Sequence, residues 1–186
     1  FWMGATTTAS PYLPPFKKAF EDSFSVRAMP MRPVSRGHLA LASADPGDHI
    51  VIHQNFLGTG EERSAMRRGL RMIRELVASE SLQSFAGEEI SPGSDCQSDD
   101  DLDAHVRATM GTVHHPIGTC KMGADNDEQA VVDGNLRVRG MENLRIVDAS
   151  VMPDLIGGAT NAPVIMIAEK AADMIRGKDP LPPAAL

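Results

Sequence analysis

Val113-His114-His115-Pro116-Ile117-Gly118-Thr119-Cys120-Lys121-Met122-Gly123 is the stretch on which the fold reading turns. Successive side chains of an extended strand point to opposite faces, so His114 and His115 are not expected to share one pocket. Pro116 disfavours the helical region for His115 and holds it extended. Gly118 then lets the chain turn away or approach another group closely. The stretch therefore reads as one imidazole pinned at a strand end, suited to a general base working near neutral pH. Taken alone, a single histidine is more often structural or surface-exposed than catalytic.

Downstream, Val147-Asp148-Ala149-Ser150-Val151-Met152-Pro153 follows a strand-like run. An acid at the carboxyl end of a strand is where ligand-binding residues collect in α/β sheets; Asp148 reads equally well as a turn former that caps the next segment. Further on, Gly157-Gly158-Ala159-Thr160-Asn161-Ala162-Pro163 leads into the last helix. Glycines before a helix expose backbone N–H groups and a local positive end. Asn161 offers both donor and acceptor atoms, or simply caps that helix. The helix is predicted from Asn161 as N-cap, through Pro163 in the first turn, to Gly177 at the C-terminal cap. Val164, Ile167, Ala168, Ala171 and Ile175 are its expected buried face. Short β-like pieces at 112–114, 130–133, 136–138 and 144–147 fill the region between.

Upstream, residues 1–36 read as loop, with Pro11, Pro14 and Pro15 close together and a short helix near 17–24. Leu39 and Leu41 alternate as a strand requires. The turn Ala44-Asp45-Pro46-Gly47-Asp48 leads to a second strand at 49–53, which predicts antiparallel pairing. Over 61–79, Met66, Leu70, Ile73 and Val77 recur at helical spacing, with Arg67, Arg68, Arg71 and Arg74 mostly off that stripe. Ser98 is the expected N-cap of another helix, with Asp99, Asp100 and Asp101 in its first turn as capping acids rather than metal ligands. Leu102 and Val106 should face inward. The Pro- and Ala-rich tail, 178–186, is expected to hug the surface or fray.

Composition narrows the function. A chain of 186 residues, 42% hydrophobic and 23% charged, has the make-up of a soluble globular domain. A net charge of -7 argues against nucleic acid or an anionic membrane surface as partner. No apolar run approaches the roughly 20 residues of a membrane span. The opening Phe1-Trp2-Met3-Gly4 lacks a signal peptide's basic region, and a chain starting on Phe reads as a truncated or processed piece. Cys96 and Cys120 are too few for a disulfide framework, which fits a reducing compartment and a cytoplasmic location.

Together the segments are far more specific than any one of them. H-P-x-G-T-C-x-M-G over 115–123 is followed by V-V-D-x-x-L-x-V-x-G over 131–140. L-R-I-V-D-A-S-x-M-P over 144–153, T-N-A-P over 160–163 and A-E-K-A-A-D over 168–173 complete the series. In order and wording they resemble the C-terminal signature of the glucose–methanol–choline (GMC) FAD-dependent oxidoreductases, of choline-dehydrogenase-like type. The resemblance runs from about Pro30 to Ile175, taking in Ser35-Arg36-Gly37 and Ser43-Ala44-Asp45-Pro46. It implies that His115 contacts the substrate hydroxyl as proton acceptor. Asn161 then fills the second catalytic position, which the family gives to His or Asn. Asp148 and Ala149 would lie against the phosphate and ribityl part of FAD, and Asn161 and Ala162 near the pyrimidine edge of the flavin. The chemistry implied is oxidation of a primary or secondary alcohol by hydride transfer to flavin. Two departures stand out: Gly157-Gly158-Ala159-Thr160 where many relatives have G-N-T, and His114 where an aromatic is common.

The implied fold is α+β: a mostly antiparallel substrate-domain sheet packed on helices, plus C-terminal strands and a helix that complete an FAD-binding domain supplied by a missing N-terminal part. Residues 1–110 would belong to the substrate-binding domain, 111–150 to the histidine strand and the return to the FAD domain, and 151–186 to the Asn loop, last helix and tail. No G-x-G-x-x-G follows a strand; Gly58-Thr59-Gly60 runs straight into Glu61-Glu62-Arg63. The chain alone is thus expected to bind FAD weakly or not at all and to be inactive. An orphaned piece should expose an apolar patch or form a homo-oligomer. The rival reading, a non-catalytic stand-alone binding domain with the same fold, needs a polar surface there. A metal hydrolase fares badly, since adjacent strand histidines point apart and Asp125-Asn126-Asp127 lacks the glycine and distal Glu of a calcium loop.

Overall fold

A computed structural model of the chain describes residues 2–4, 23–179 and 182. The chain divides into two compact units, one formed by Phe1–Pro30 with Leu57–Gly111, the other by Met31–Phe56 with Thr112–Leu186. Among the described residues no helix is long and apolar enough to cross a membrane.

In the first unit, β1 (Trp2–Gly4) and β2 (Ser25–Arg27) pair antiparallel. This corrects the reading of 1–36 as loop throughout; most of the short helix expected near 17–24 lies outside the described residues. Helix α1 (Gly60–Val77) starts at a capping box, in which Thr59 accepts from the Glu62 amide and Glu62 reaches back to the Thr59 amide. Its stripe of Met66, Leu70, Ile73 and Val77 is half-buried, as the spacing predicts. A Cβ on Gly69 would stand 2.8 Å from the Ala28 Cβ, so only glycine lets the helix run this close to the chain after β2. Helix α2 (Asp99–Thr109) has its own box between Ser98 and Asp101, and its inward Leu102 and Val106 are buried. The acids of this helix have structural partners. Arg67 forks onto both Asp103 oxygens at 2.8 Å, and Arg71 bonds Asp99 at 2.5 Å. The Arg71 guanidinium, then the charge of Arg67, holds the Asp99 carboxyl below the usual carboxylate range.

The second unit holds the expected hairpin: β3 (His38–Ala40) pairs antiparallel with β4 (Val51–His53). Its turn is tied by Ser43, whose hydroxyl donates to Asp48 and accepts from the Asp45 amide. Leu41 lies beyond the paired residues and is 81% exposed. The β-like pieces after 111 do not form strands. Three isolated bridges replace them: Met122 with Val132, Val132 with Val138, and Arg137 with Arg145. The mixed helix-and-sheet character is therefore as expected, but among the described residues the sheet is reduced to two short ribbons and these bridges.

Helix α3 (Asn161–Ile175) closes the core of this unit. Ala171 is buried against Val132, Leu136 and Val151, with Ile167, Met174, Met122 and Ile146 around them. The expected buried face is right for Ile167 and Ala171, with Val164 half-buried, and wrong for Ala168, which is exposed, and for Ile175, which is 63% exposed. Met174, three residues on from Ala171, packs on the core instead.

Candidate functional site

The histidine segment is shaped by backbone chemistry rather than by a strand. Residues 112–114 form no strand: His114 sits in the left-handed region at φ 62°, and its amide donates to the Thr112 hydroxyl at 3.0 Å. Histidine is among the residues that tolerate this conformation, which a short local turn over-determines here. In place of the strand expected to end at His115, the chain bends at His114. Past Pro116 the chain reverses at Gly118, at φ +83°, where an added Cβ would meet the Met152 carbonyl at 3.4 Å. Of the two uses foreseen for this glycine, the turn is seen in its positive φ, while the neighbour stands at ordinary contact distance.

From there the segment lies along residues 150–152. The Cys120 amide donates to the Ser150 carbonyl at 3.0 Å and the Met122 amide to the Val151 carbonyl at 2.8 Å. Val151 and Met152 are buried, so the histidine segment is fastened to the core. Asp148 caps the short 3₁₀ turn Ala149–Val151, accepting from the Ser150 amide at 2.7 Å. Its capping role is therefore seen directly, and Asp148 stays exposed beside the half-buried Ala149.

The loop leading to α3 is held at its base. Arg36 bonds Asp154 at 2.7 Å and Arg32 donates to the Leu155 carbonyl at 3.2 Å. Gly157, at φ +71°, turns the chain where the Arg32 side chain passes 3.7 Å from the position of a Cβ. Asn161 is then the first residue of α3, not its cap. The capping position falls to Thr160, whose backbone is already helical (φ -81°, ψ -12°) and whose side chain makes no capping bond. At α1 and α2 the hydroxyl in this position does cap, an interaction worth about 0.5–2 kcal/mol.

The Thr160 hydroxyl points elsewhere. It lies 2.9 Å from Nδ1 of His115, across 45 positions of sequence, and Thr160 is only 7% exposed. His115 and the residue adjoining Asn161 are thereby brought together. Asn161 and Ala162 are both exposed, and Asn161 makes no side-chain hydrogen bond to a described residue. The helical ladder begins with the Val164 amide on the Thr160 carbonyl at 3.0 Å. The amides of Asn161 and Ala162 precede it, and Pro163 has no N–H, so a positive helix end is left open.

Thr160 is the residue that sequence reasoning missed: a hydroxyl just before a helix reads as a cap. Lys121 and Asp127 form an ion pair at 2.8 Å close by in sequence, and the ammonium holds Asp127 below the usual carboxylate range. Among the described residues, no three His, Cys, Asp or Glu side chains gather as a metal site would require.

Comparison with known proteins identifies the family. Residues 33–168 match the profile of the GMC oxidoreductase family. The chain is 50% identical, over 161 residues, to an oxygen-dependent choline dehydrogenase of Citrobacter koseri, a match covering 87% of this chain and 28% of that one. It is 48% identical to a mitochondrial choline dehydrogenase of Mus musculus, over 87% of this chain and 27% of the relative. The chain thus spans under a third of the length of these curated relatives. Among solved structures it resembles pyridoxine 4-oxidase from Mesorbium loti at 36% identity and a TM-score of 0.73, covering 81% of this chain and 29% of that one. It also resembles the R554A formate oxidase of Aspergillus oryzae RIB40 at 34% identity and a TM-score of 0.74, over 79% and 26% of the two chains.

Proposed function

The chain belongs to the GMC oxidoreductase family, and from that premise we propose that it forms the substrate-facing C-terminal part of an FAD-dependent alcohol oxidoreductase. The observation that carries this reading is the contact of His115 with Thr160, which ties an exposed imidazole to the residue just before Asn161. The dehydrogenases named for choline and the oxidase named for pyridoxine point to an alcohol as substrate. Choline is the first to test.

The residues present fit FAD. The first turn of α3 is uncapped, and Gly157, Gly158, Ala159 and Ala162 leave little side-chain bulk around it. When bound, FAD supplies the acceptor for the hydride that leaves the alcohol carbon. His115 accepts the hydroxyl proton, help of a kind worth roughly 10²–10⁴-fold in rate. Asn161 donates its side-chain amide to the substrate oxygen. The open N–H groups of Asn161 and Ala162 favour negative charge at the pyrimidine edge. Asp148 and Ala149 would hold the phosphate and ribityl region, on a turn that the Asp148 cap keeps in shape.

The dinucleotide fingerprint would come from sequence outside these 186 residues. Exposed Leu41, Ile50 and Ile52 near the hairpin, and Ile165 and Met166 on α3, favour this over a stand-alone binding domain, because they offer apolar surface for further polypeptide. The two free cysteines favour a reducing compartment, for which we propose the cytoplasm. In the full-length enzyme, His115→Ala should lower kcat for choline by roughly 10²–10⁴-fold with FAD content unchanged. Wild-type turnover by that variant removes His115 from the reaction.

A further inference from the structure

We propose that Thr160 is a positioning residue that holds the His115 ring by Nδ1 and thereby assigns Nε2 as the nitrogen that works on the substrate. The proposal rests on the alcohol-oxidation reading for what Nε2 meets, but the bond itself does not depend on it.

The geometry makes the hydroxyl a fixed point. Thr160 is buried at the mouth of α3, its carbonyl accepts from the Val164 amide at 3.0 Å, and eleven residues on Ala171 is locked in the core. A β-branched side chain has few χ1 choices, so its Oγ1 stays where the backbone puts it. His115 is exposed, with Pro116 restricting its backbone, and its ring would otherwise be free to turn. One bond of 2.9 Å to Nδ1 fixes the ring's direction and leaves one nitrogen for chemistry.

The helix start says the same. Thr59 and Ser98 use their hydroxyls to cap α1 and α2, while Thr160, of the same chemistry and in the same position, leaves α3 uncapped and turns to the imidazole. A hydroxyl also suits the proton cycle. When Nδ1–H donates to Oγ1, Nε2 carries the lone pair and can accept a proton from the alcohol oxygen. Once it has done so, the imidazolium still donates Nδ1–H to the same Oγ1. Proton uptake then requires neither ring rotation nor a new partner, which is the preorganisation that favours a fast step. A valine of the same shape has neither lone pair nor proton to offer.

The test has two arms. In the ¹⁵N-histidine-labelled chain, with the His115 signals identified by their loss in His115→Ala, Nδ1 should carry the proton in the neutral ring. Thr160→Val should shift the ring toward the tautomer protonated on Nε2, and Thr160→Ser should restore the original pattern. In the full-length flavoenzyme, Thr160→Val should lower kcat roughly 10- to 100-fold, with a much smaller change in KM and unchanged FAD content, and Thr160→Ser should recover most of the rate. A His115 ¹⁵N pattern identical in wild type and Thr160→Val overturns the proposal, as does a kcat that valine leaves untouched. If the tautomer shifts with valine while His115→Ala turns over alcohol at the wild-type rate, the bond stands and the catalytic reading falls.

Discussion

Replacing Gly118 by alanine tests how the histidine segment is held. Gly118 sits at φ +83°, and the added Cβ would lie 3.4 Å from the Met152 carbonyl oxygen, close to ordinary van der Waals contact. Sterics with the neighbour therefore add little, and the cost is that of forcing an L-residue into the left-handed region, roughly 1–2 kcal/mol. With a urea slope of about 2 kcal/mol per molar, the unfolding midpoint should drop by roughly 0.5–1 M. Melting should fall by roughly 2–8 °C. Gly134 is the internal control, since its φ is not positive and a Cβ there would meet nothing within 4 Å. Gly134→Ala should leave the midpoint unchanged or raise it slightly, by up to about 1 kcal/mol through the unfolded chain. Urea titrations of the two variants side by side, followed by circular dichroism, decide the matter. Equal midpoints for the two would refute the claim that the turn before Cys120 is set by backbone conformation.

Gly37→Ala should disrupt the hairpin, because its Cβ would fall 2.0 Å from the His53 carbonyl oxygen and 2.9 Å from that of Gln54, both backbone atoms. Amide exchange at residues 38–40 and 51–53 should accelerate markedly, and unchanged protection there would contradict the close approach. The acid limb of stability should depend on Asp133. The amide of Arg137, and less strongly that of Asn135, holds its carboxyl below the usual range. A group depressed in the folded state stabilises above its unfolded value of about 4, and that contribution is lost as pH falls through the folded pKa. Asp133→Asn should therefore flatten part of the stability loss below about pH 4, read from thermal melts across pH; an unaltered acid limb counts against it.

What the sequence makes legible is what is decided locally. Ser98, with acids in the turn after it, announces its helix from the chain alone, and its capping bond is present. Gly118, too, is readable from the chain alone. The β-like pieces of 130–147 mislead because apolar alternation is only half of a strand; the other half is a partner of matching length. Here the chain turns at Leu136 (φ 63°), Gly140 (φ 73°) and Asn143 (φ 58°), so no run stays extended long enough to build a ladder. The β1–β2 pair escapes notice because strands of three residues carry almost no period. Ile175 misleads on α3 because helical spacing alone cannot say which edge of an apolar stripe the core ends at. Thr160 is legible only in three dimensions, since its partner lies 45 positions back and its local signal is that of a cap.

The hairpin carries a practical consequence. Among the described residues β3 and β4 pair only with each other, so each keeps an outer rim of unpaired amides and carbonyls, and Leu39, Val51 and Ile52 all face water. Such a ribbon is a template that a strand from a neighbouring molecule can extend. Asp45, Pro46 and Asp48 guard the tip of the hairpin, but no Asp, Glu, Lys or Arg lies within the three-residue strands themselves. Handled at high concentration or warmed, the molecule should therefore begin to precipitate along this rim, well before its helices melt.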